Sequence, residues 1–451
     1  MSGLEALTRE ELVAEIARLE AENAGFRVLV VELRAEVDML RSELSGKTGG
    51  SGAAPFIKPN RKERREQERA ERKKRSQSFA RGLDIPTEEV RHVVDECPDC
   101  GRKLCGGWEH SSRQTIEMPE TPIRIIKHVL VARHCGVCGK DYIPKLGPSD
   151  GVIGNMRVGP RLMSFIAMLS VAGRMPQRSV VKLLQSLYEV HISLGEISEV
   201  LHKVAELARG EEESILRGIR GSPYANGDET GWREDGINGY LWSLSTPLAR
   251  FFYFAKSRAS AIVERILGYC FCGVLVCDFY GAYNWYSGPI QRCWVHFLRD
   301  LAKLVDKNPQ DASLSLWVEE IKDLYKAAKK AARRSFKEEV RVRLRQELET
   351  KLLALAHPYI KNEEAVQRVL AERIDKHLGE LFTFVQYPGC PSGNNAAERA
   401  IRPAVIARKI SGGTRSQKGS QTRTTLMSVF GTWQLQGKDL LQACTHLITA
   451  S

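Results

Sequence analysis

The sequence predicts a multidomain α/β protein with an N-terminal coiled coil, a small zinc-ribbon-like module, a helical segment and an α/β core interrupted by helices. Three observations carry this expectation: unbroken heptads near the start, two CxxC turns, and a change from helical to strand-like patterning near residue 222 that later reverts to helix. A length of 451 residues agrees, at a prior of about 150 residues per domain. Lys plus Arg number 67 against 55 Asp plus Glu, a net charge of +12, which favours a polyanionic partner and nucleic acid first. The chain opens with Glu5, Glu10 and Glu11 instead of a basic segment and an apolar stretch. No run of roughly 18 apolar residues follows, so secretion and membrane spanning are disfavoured. Eleven Cys, four of them in CxxC pairs, suit metal binding in a reducing compartment better than a disulfide framework. The expected location is the cytoplasm, in association with the nucleoid.

From Leu12 the apolar positions recur at Ile16, Leu19, Asn23, Phe26, Val30, Leu33, Val37, Leu40 and Leu44, alternating spacings of four and three. Thr8 and Glu11 can form a capping box, and Gly46, Gly49 and Gly50 end the pattern, which predicts a coiled coil over 8–45. Ile16, Asn23, Val30, Val37 and Leu44 at a, with mostly Leu at d, is the pattern of a parallel dimer in which Asn23 sets the register. The plain alternative is an amphipathic helix packed on its own domain. Residues 46–90 read as a basic flexible linker; within it RKERREQERAERKKR, from Arg61 to Arg75, has nine basic and four acidic residues. Such a run is either a solvated arm or a salt-dependent, sequence-indifferent phosphate contact.

CPDCG at 97–101 and CGVCG at 135–139 are knuckle-like turns within a proposed zinc-binding domain at 91–145. Paired thiolates followed by Gly can grip one side of a tetrahedral ion, which nominates Cys97, Cys100, Cys135 and Cys138 as Zn²⁺ ligands. A β-hairpin at 121–133 is expected to fill the interval, and Cys105, His110 and His134 are nearby substitutes. A site of four Cys with no open position is structural. Residues 155–219 read as helical. Ser193 stands at an N-cap between two helices, which can be a helix-turn-helix DNA reader or an ordinary packing unit.

From 222 the pattern gives three consecutive antiparallel strands, SPYANGDETG, YLWSLST and ARFFYFAKS, with Asp235–Asn238 and Pro247 as turn material. A short helix at 258–267 follows, and then GVLVCD, an apolar run ending in Asp278. Three strands, a helix and a fourth strand is the order of an RNase H-like core, with its first part at 222–298. It brings Asp228 and Asp278 together at one edge of the sheet, where two carboxylates repel unless a cation lies between them. Residues 310–357 contain neither Gly nor Pro and read as long helices within an insertion at 299–385. The last part of the core, 386–451, contains PSGNNAAERAIRPAVIARKISGGTRSQKG, in which Asn395, Glu398, Arg399 and Arg402 share a helix face. Pro403 predicts a kink or two short pieces there. Arg402, Arg408, Lys409, Arg415, Lys418 and Arg423 surround a Gly-rich turn and are candidate phosphate contacts. Cys293 and His296, in RCWVHFLRD, offer only two ligands and are expected to serve helix packing. Cys270, Cys272, Cys277, Cys390 and Cys444 show no ligand spacing and read as buried apolar groups.

The zipper, the two knuckles, GDETG, CDFYGAYN, CWVH and NNAAERAIRPAVIARKISGGTRS together resemble the insertion-sequence sixty-six family of bacterial DDE transposases. The resemblance covers nearly the whole chain. It implies an RNase H-like catalytic domain with a helical insertion between the second and third acids, acting on transposon-end and target DNA, with the acidic triad at Asp228, Asp278 and Glu398. Three carboxylates can hold two Mg²⁺ (or Mn²⁺) ions about 3.5–4 Å apart for in-line phosphodiester displacement. Glu229 is the rival assignment beside Asp228. The expected partners are therefore DNA, a second copy through the coiled coil (a homodimer or higher oligomer), and accessory proteins of the same element. Other function classes are a zinc-containing dimeric DNA-binding regulator with an inactive core, which a missing carboxylate would have favoured, and a metal-dependent structure-specific nuclease without strand transfer.

Overall fold

A computed structural model describes residues 85–113, 115–116 and 123–450. The coiled coil at 8–45 and the basic run from Arg61 to Arg75 lie outside the described residues. The chain divides into two compact units, Met1–Met118 and Pro119–Ser451. In the first, the Cys97 turn is closed by the Gly101 amide on the Cys97 carbonyl at 2.8 Å and by the Cys97 amide on the Arg102 carbonyl at 2.9 Å. Gly101, at φ +72°, takes the left-handed conformation that this turn requires.

The second unit opens with an antiparallel pair, β1 (Arg133–Cys135) and β2 (Lys140–Tyr142), around the second CxxC turn. This corrects the hairpin expected at 121–133, since 123–132 form no ladder. TPIRIIKHVLVAR contains no turn residue at its centre, whereas CGVCG reverses the chain through Gly139 at φ +64°.

Four helices follow: α1 (Pro160–Val171), α2 (Gln177–Tyr188), α3 (Leu194–Leu207) and α4 (Arg209–Arg220). Ser193 caps α3 by accepting the Glu196 amide at 3.1 Å. Ile197, Val200, Leu201 and Val204 bury one face of α3, while its remaining surface carries Glu196, Glu199 and Glu206, the last paired with Lys203 at 3.3 Å. Helix α2 carries Arg178 and Lys182 beside this face, so the pair presents both signs of charge.

The central sheet has the order β5-β4-β3-β6-β7, built from β3 (Tyr224–Glu234), β4 (Ile237–Ser245), β5 (Arg250–Ala255), β6 (Val274–Cys277) and β7 (Ile290–Arg292). The first three strands are antiparallel neighbours, β6 lies parallel to β3, and β7 parallel to β6. Asp235 and Gly236, both at positive φ, make the two-residue β3–β4 turn that matches strand twist. Helix α5 (Ser260–Leu267) connects β5 to β6. Cys277 is buried at the end of β6, but Cys270 and Cys272 are exposed on the preceding loop, contrary to their expected burial.

After β7 come α6 (Trp294–Lys307), α7 (Ala312–Ala332), α8 (Glu338–Ala356) and α9 (Arg368–Lys376), then two single turns, α10 (Leu378–Leu381) and α11 (Thr383–Gln386). Their apolar faces, with Trp294, Trp317 and Phe382, form one hydrophobic cluster with Val274 and Val276 of β6. A second cluster joins β3–β5 to α1–α5 and to the closing helices α12 (Asn395–Ser411), α13 (Gln417–Leu435) and α14 (Leu440–Thr449). Helix α12 is a single helix with Pro403 inside it, which sets aside the two-piece alternative. Helix α13 covers the edge strand: Ser428 Oγ accepts the Phe252 amide at 2.8 Å, and Thr432 Oγ1 accepts the Arg250 amide at 2.9 Å. Side-chain oxygens thus replace the missing neighbouring strand and blunt the edge. Among the described residues no helix is long and apolar enough to cross a membrane.

Candidate active site

Parallel pairing of β3 with β6 brings two carboxylates to one end of the sheet. Asp228 lies within β3 opposite Ser243, and Asp278 follows the last residue of β6. Asp228 Oδ1 accepts the Glu229 amide at 2.9 Å, and Asp278 Oδ1 accepts the Tyr280 amide at 2.9 Å. Glu398 stands in the first turn of α12, with its carboxylate 3.5 Å from His296 Nε2 and 3.8 Å from Arg299. Burial raises the Asp228 carboxyl to about 7, and the negative charges of Glu229, Asp278 and Glu398 push it the same way against the Glu229 amide. The three predicted acids therefore share one electrostatic field. Among the described residues no three His, Cys, Asp or Glu side chains are gathered closely enough to hold a metal ion between them.

The raised Asp228 carboxyl has a consequence for stability. Its folded-state value exceeds the unfolded one, so the native chain binds the extra proton and loses stability as pH rises towards about 7. In Mg²⁺-free buffer the thermal midpoint of Asp228→Asn should exceed that of the wild type by a margin that widens between pH 5 and pH 8. A margin independent of pH would contradict this.

Glu229 points to the opposite sheet face because successive strand residues alternate. Its side chain is 2% exposed, pairs with Arg258 at 2.5 Å and accepts the Tyr283 hydroxyl at 2.6 Å. Arg258 also lies over the Tyr280 ring, 3.8 Å from its centroid, and its carbonyl accepts the Tyr280 hydroxyl at 2.8 Å. Glu229 thus adds its charge to the field at Asp228 while its side chain is engaged by Arg258 and Tyr283, the residues that support the Asp278 loop.

Asn394, which in the sequence marks only a helix start, is buried at the start of α12. Its Nδ2 donates to the Gly227 carbonyl at 2.7 Å, its Oδ1 accepts Asn226 Nδ2 at 2.9 Å, and its amide donates to Cys293 Sγ at 3.0 Å. These bonds tie the helix bearing Glu398 to the strand bearing Asp228. The paired Asn in SGNNAAER is the local signal that could have revealed it. Burial pushes the Cys293 thiol up, but His296 and the Asn394 amide bring it below its ordinary value. Cys293 is buried beneath α6, with Trp294 and Phe297 packed alongside, and His296 reaches Glu398.

Of the candidate phosphate contacts, Arg402 and Lys409 are exposed on α12, Arg415 on the turn after it and Lys418 in the first turn of α13. Arg408 is half-buried and donates to the Gly231 carbonyl of β3, which fastens α12 to the sheet. Thr414 and Arg233 extend the same fastening through a backbone bond of 2.8 Å. In the zinc-binding candidates, amides of Asp99 and Cys100 lower the Cys97 thiol, and those of Cys138 and Val137 lower the Cys135 thiol. His134 is engaged with Asp141 at 2.8 Å, while Cys105 is exposed.

A mixed sheet with acids at one end and basic helices beside it is an architecture suited to acting on a polyanion. Residues 155–422 match the family described as Transposase IS66 family. Because the match covers more than half of the 451 residues, the chain belongs to that family. Over 167 residues it is 29% identical to the Uncharacterized protein y4jO of Sinorhizobium fredii (strain NBRC 101917 / NGR234). That alignment covers 36% of this chain and 49% of the other, so the chain spans about half the length of the curated relative it matches.

Proposed function

We propose that this chain is a DNA transposase of a bacterial insertion sequence that binds the element's ends and catalyses Mg²⁺-dependent cleavage and strand transfer. The observation that carries the reading is the common field of Asp228, Asp278 and Glu398, in which burial and like charge raise Asp228 to about 7. Such repulsion is what a divalent cation relieves, and three carboxylates are a hard oxygen donor set suited to Mg²⁺ or Mn²⁺. The antiparallel-then-parallel order β5-β4-β3-β6-β7 supports an RNase H-like core. Asp228, Asp278 and Glu398 would hold the ions, which when bound activate the attacking oxygen and stabilise the leaving oxygen of an in-line displacement.

The chain's own residues supply position and charge. Asn394 holds Glu398's helix against β3, and Arg258 with Glu229 and Tyr280 holds the Asp278 loop. Arg402, Lys409, Arg415 and Lys418 would bind the DNA backbone beside the acids. Pairing through the coiled coil at 8–45 would join two copies, one for each end, with accessory proteins of the same element as further partners.

Purified protein, labelled end DNA and a target plasmid test the reading. Mg²⁺-dependent end cleavage together with joined products supports it, and cleavage without joining replaces it with a nuclease. End binding without either reaction replaces it with a regulator.

Cys97, Cys100, Cys135 and Cys138 would hold Zn²⁺, since paired thiols lowered by backbone amides are suited to thiolate ligation. Purified wild type should carry about one zinc per chain, and Cys135→Ser should lose most of it. Equal zinc content in both, measured by elemental analysis, would contradict the assignment.

A further inference from the structure

Away from the acids, a cleft of about 90 Å³ opens between the end of α1, strand β5 and helices α12 and α13. Arg174, Arg250 and Arg423 line it, and no acidic residue does. Phe252, Met427 and Phe430 supply apolar walls, which reduce screening and strengthen the pull of the three cations on an anion.

The guanidiniums are poorly compensated from within the chain. Arg423 donates one bond, to the Ser170 carbonyl at 2.8 Å, while its Nε is closed off from solvent without a partner. Burial alone lowers Arg423 to about 10, and burial together with the charge of Arg399 lowers Arg250, with no carboxylate acting on either. Arg174 is held at φ +57°, a conformation that non-glycine residues adopt at a cost and that recurs at ligand sites. Buried cations without counter-charge destabilise a fold unless an anion meets them.

Phe252 pairs with Ser243, and Ser243 with Asp228. Paired residues leave the same face of a sheet, so the cleft lies two strands, about 10 Å, from Asp228. Each DNA strand carries a phosphate about every 3.4 Å of axis.

We propose that the Arg174, Arg250 and Arg423 cleft is a phosphate-binding site that takes a backbone phosphodiester of bound DNA. It rests on the DNA-binding reading above and adds to it a built anchor distinct from the exposed basic residues of α12. It also accounts for an arginine cluster on the loop after α1, on β5 and on α13 that the acid site leaves unused.

The test is duplex end-DNA binding by the full chain, followed by fluorescence anisotropy across a salt series, for wild type, Arg250→Gln and Gln434→Glu. Gln434 lines the cleft and is exposed, so its isosteric change to Glu carries little folding risk and supplies an internal counter-charge. Both variants should bind DNA about tenfold more weakly at moderate salt, with the slope of log K against log salt shallower by about 0.9, the value for one lost phosphate. Gln434→Glu should also raise the thermal midpoint, because it satisfies cations that await an outside anion. Inorganic phosphate should raise the wild-type midpoint more than that of Gln434→Glu. Unchanged affinity and salt slope in both variants, with wild-type binding intact, overturn the cleft and leave the DNA reading standing. Absence of DNA binding by the wild type overturns both.

Discussion

Asp278→Asn is expected to fold normally, bind end DNA and lose both cleavage and joining. Asparagine keeps an oxygen that can accept the Tyr280 amide, the 2.9 Å bond that orders the loop, and removes only the charge. Metal coordination contributes several kcal/mol to such displacements, so the fall in rate should be on the order of 10³-fold. Unaltered circular dichroism and end-DNA affinity would assign the loss to chemistry. Retention of joining within tenfold of wild type would remove Asp278 from the site.

Glu229→Ala should show the opposite pattern. Deletion of this buried carboxylate leaves the Arg258 guanidinium and the Tyr283 hydroxyl without their acceptor. Loss of one member of a buried pair costs roughly 3 kcal/mol, moderated here because Arg258 is partly exposed. In a unit of this size that is a drop of about 5–10 °C in thermal midpoint. Glu229→Gln should lose less, since its amide oxygen can still accept from Tyr283. Activity per folded molecule should fall far less than in Asp228→Asn. An unchanged midpoint for Glu229→Ala would show that this network does not hold the fold. Two neighbouring acids thus separate cleanly, one by rate and the other by stability.

What could be read directly in the residues was local. Alternation and the Asp-Gly turn located β3, β4 and β5, and the apolar run ending in Asp278 located β6. Ser193 announced the start of α3. The acid pair followed from strand order, because β6 must lie beside β3 for the pair to meet. Contacts that depend on distant segments were not legible. Arg408 reads as a free cation until Gly231 is placed against it. Asn394 reads as a helix start until Gly227 and Cys293 surround it. Arg250 and Arg174 lie 76 positions apart by residue number and share a cleft only after the sheet edge and α1 are packed against α13. The hairpin at 121–133 failed for a local reason: β-branched composition without a turn residue does not specify where a chain reverses.

The Trp294 amide bonds the Ser392 carbonyl at 3.0 Å, and the Asn394 amide bonds Cys293 Sγ, although the latter pair is 101 positions apart in sequence. The chain thus leaves and re-enters its core at a single point, beside Glu398. The closure entropy of a loop grows only logarithmically with its length, so residues far from this junction can be gained or lost with little penalty to the acids at its base. Because α7 and α8 pack into the core beside β6, the exposed turn between them at 333–337 is where length can vary at least cost to the fold.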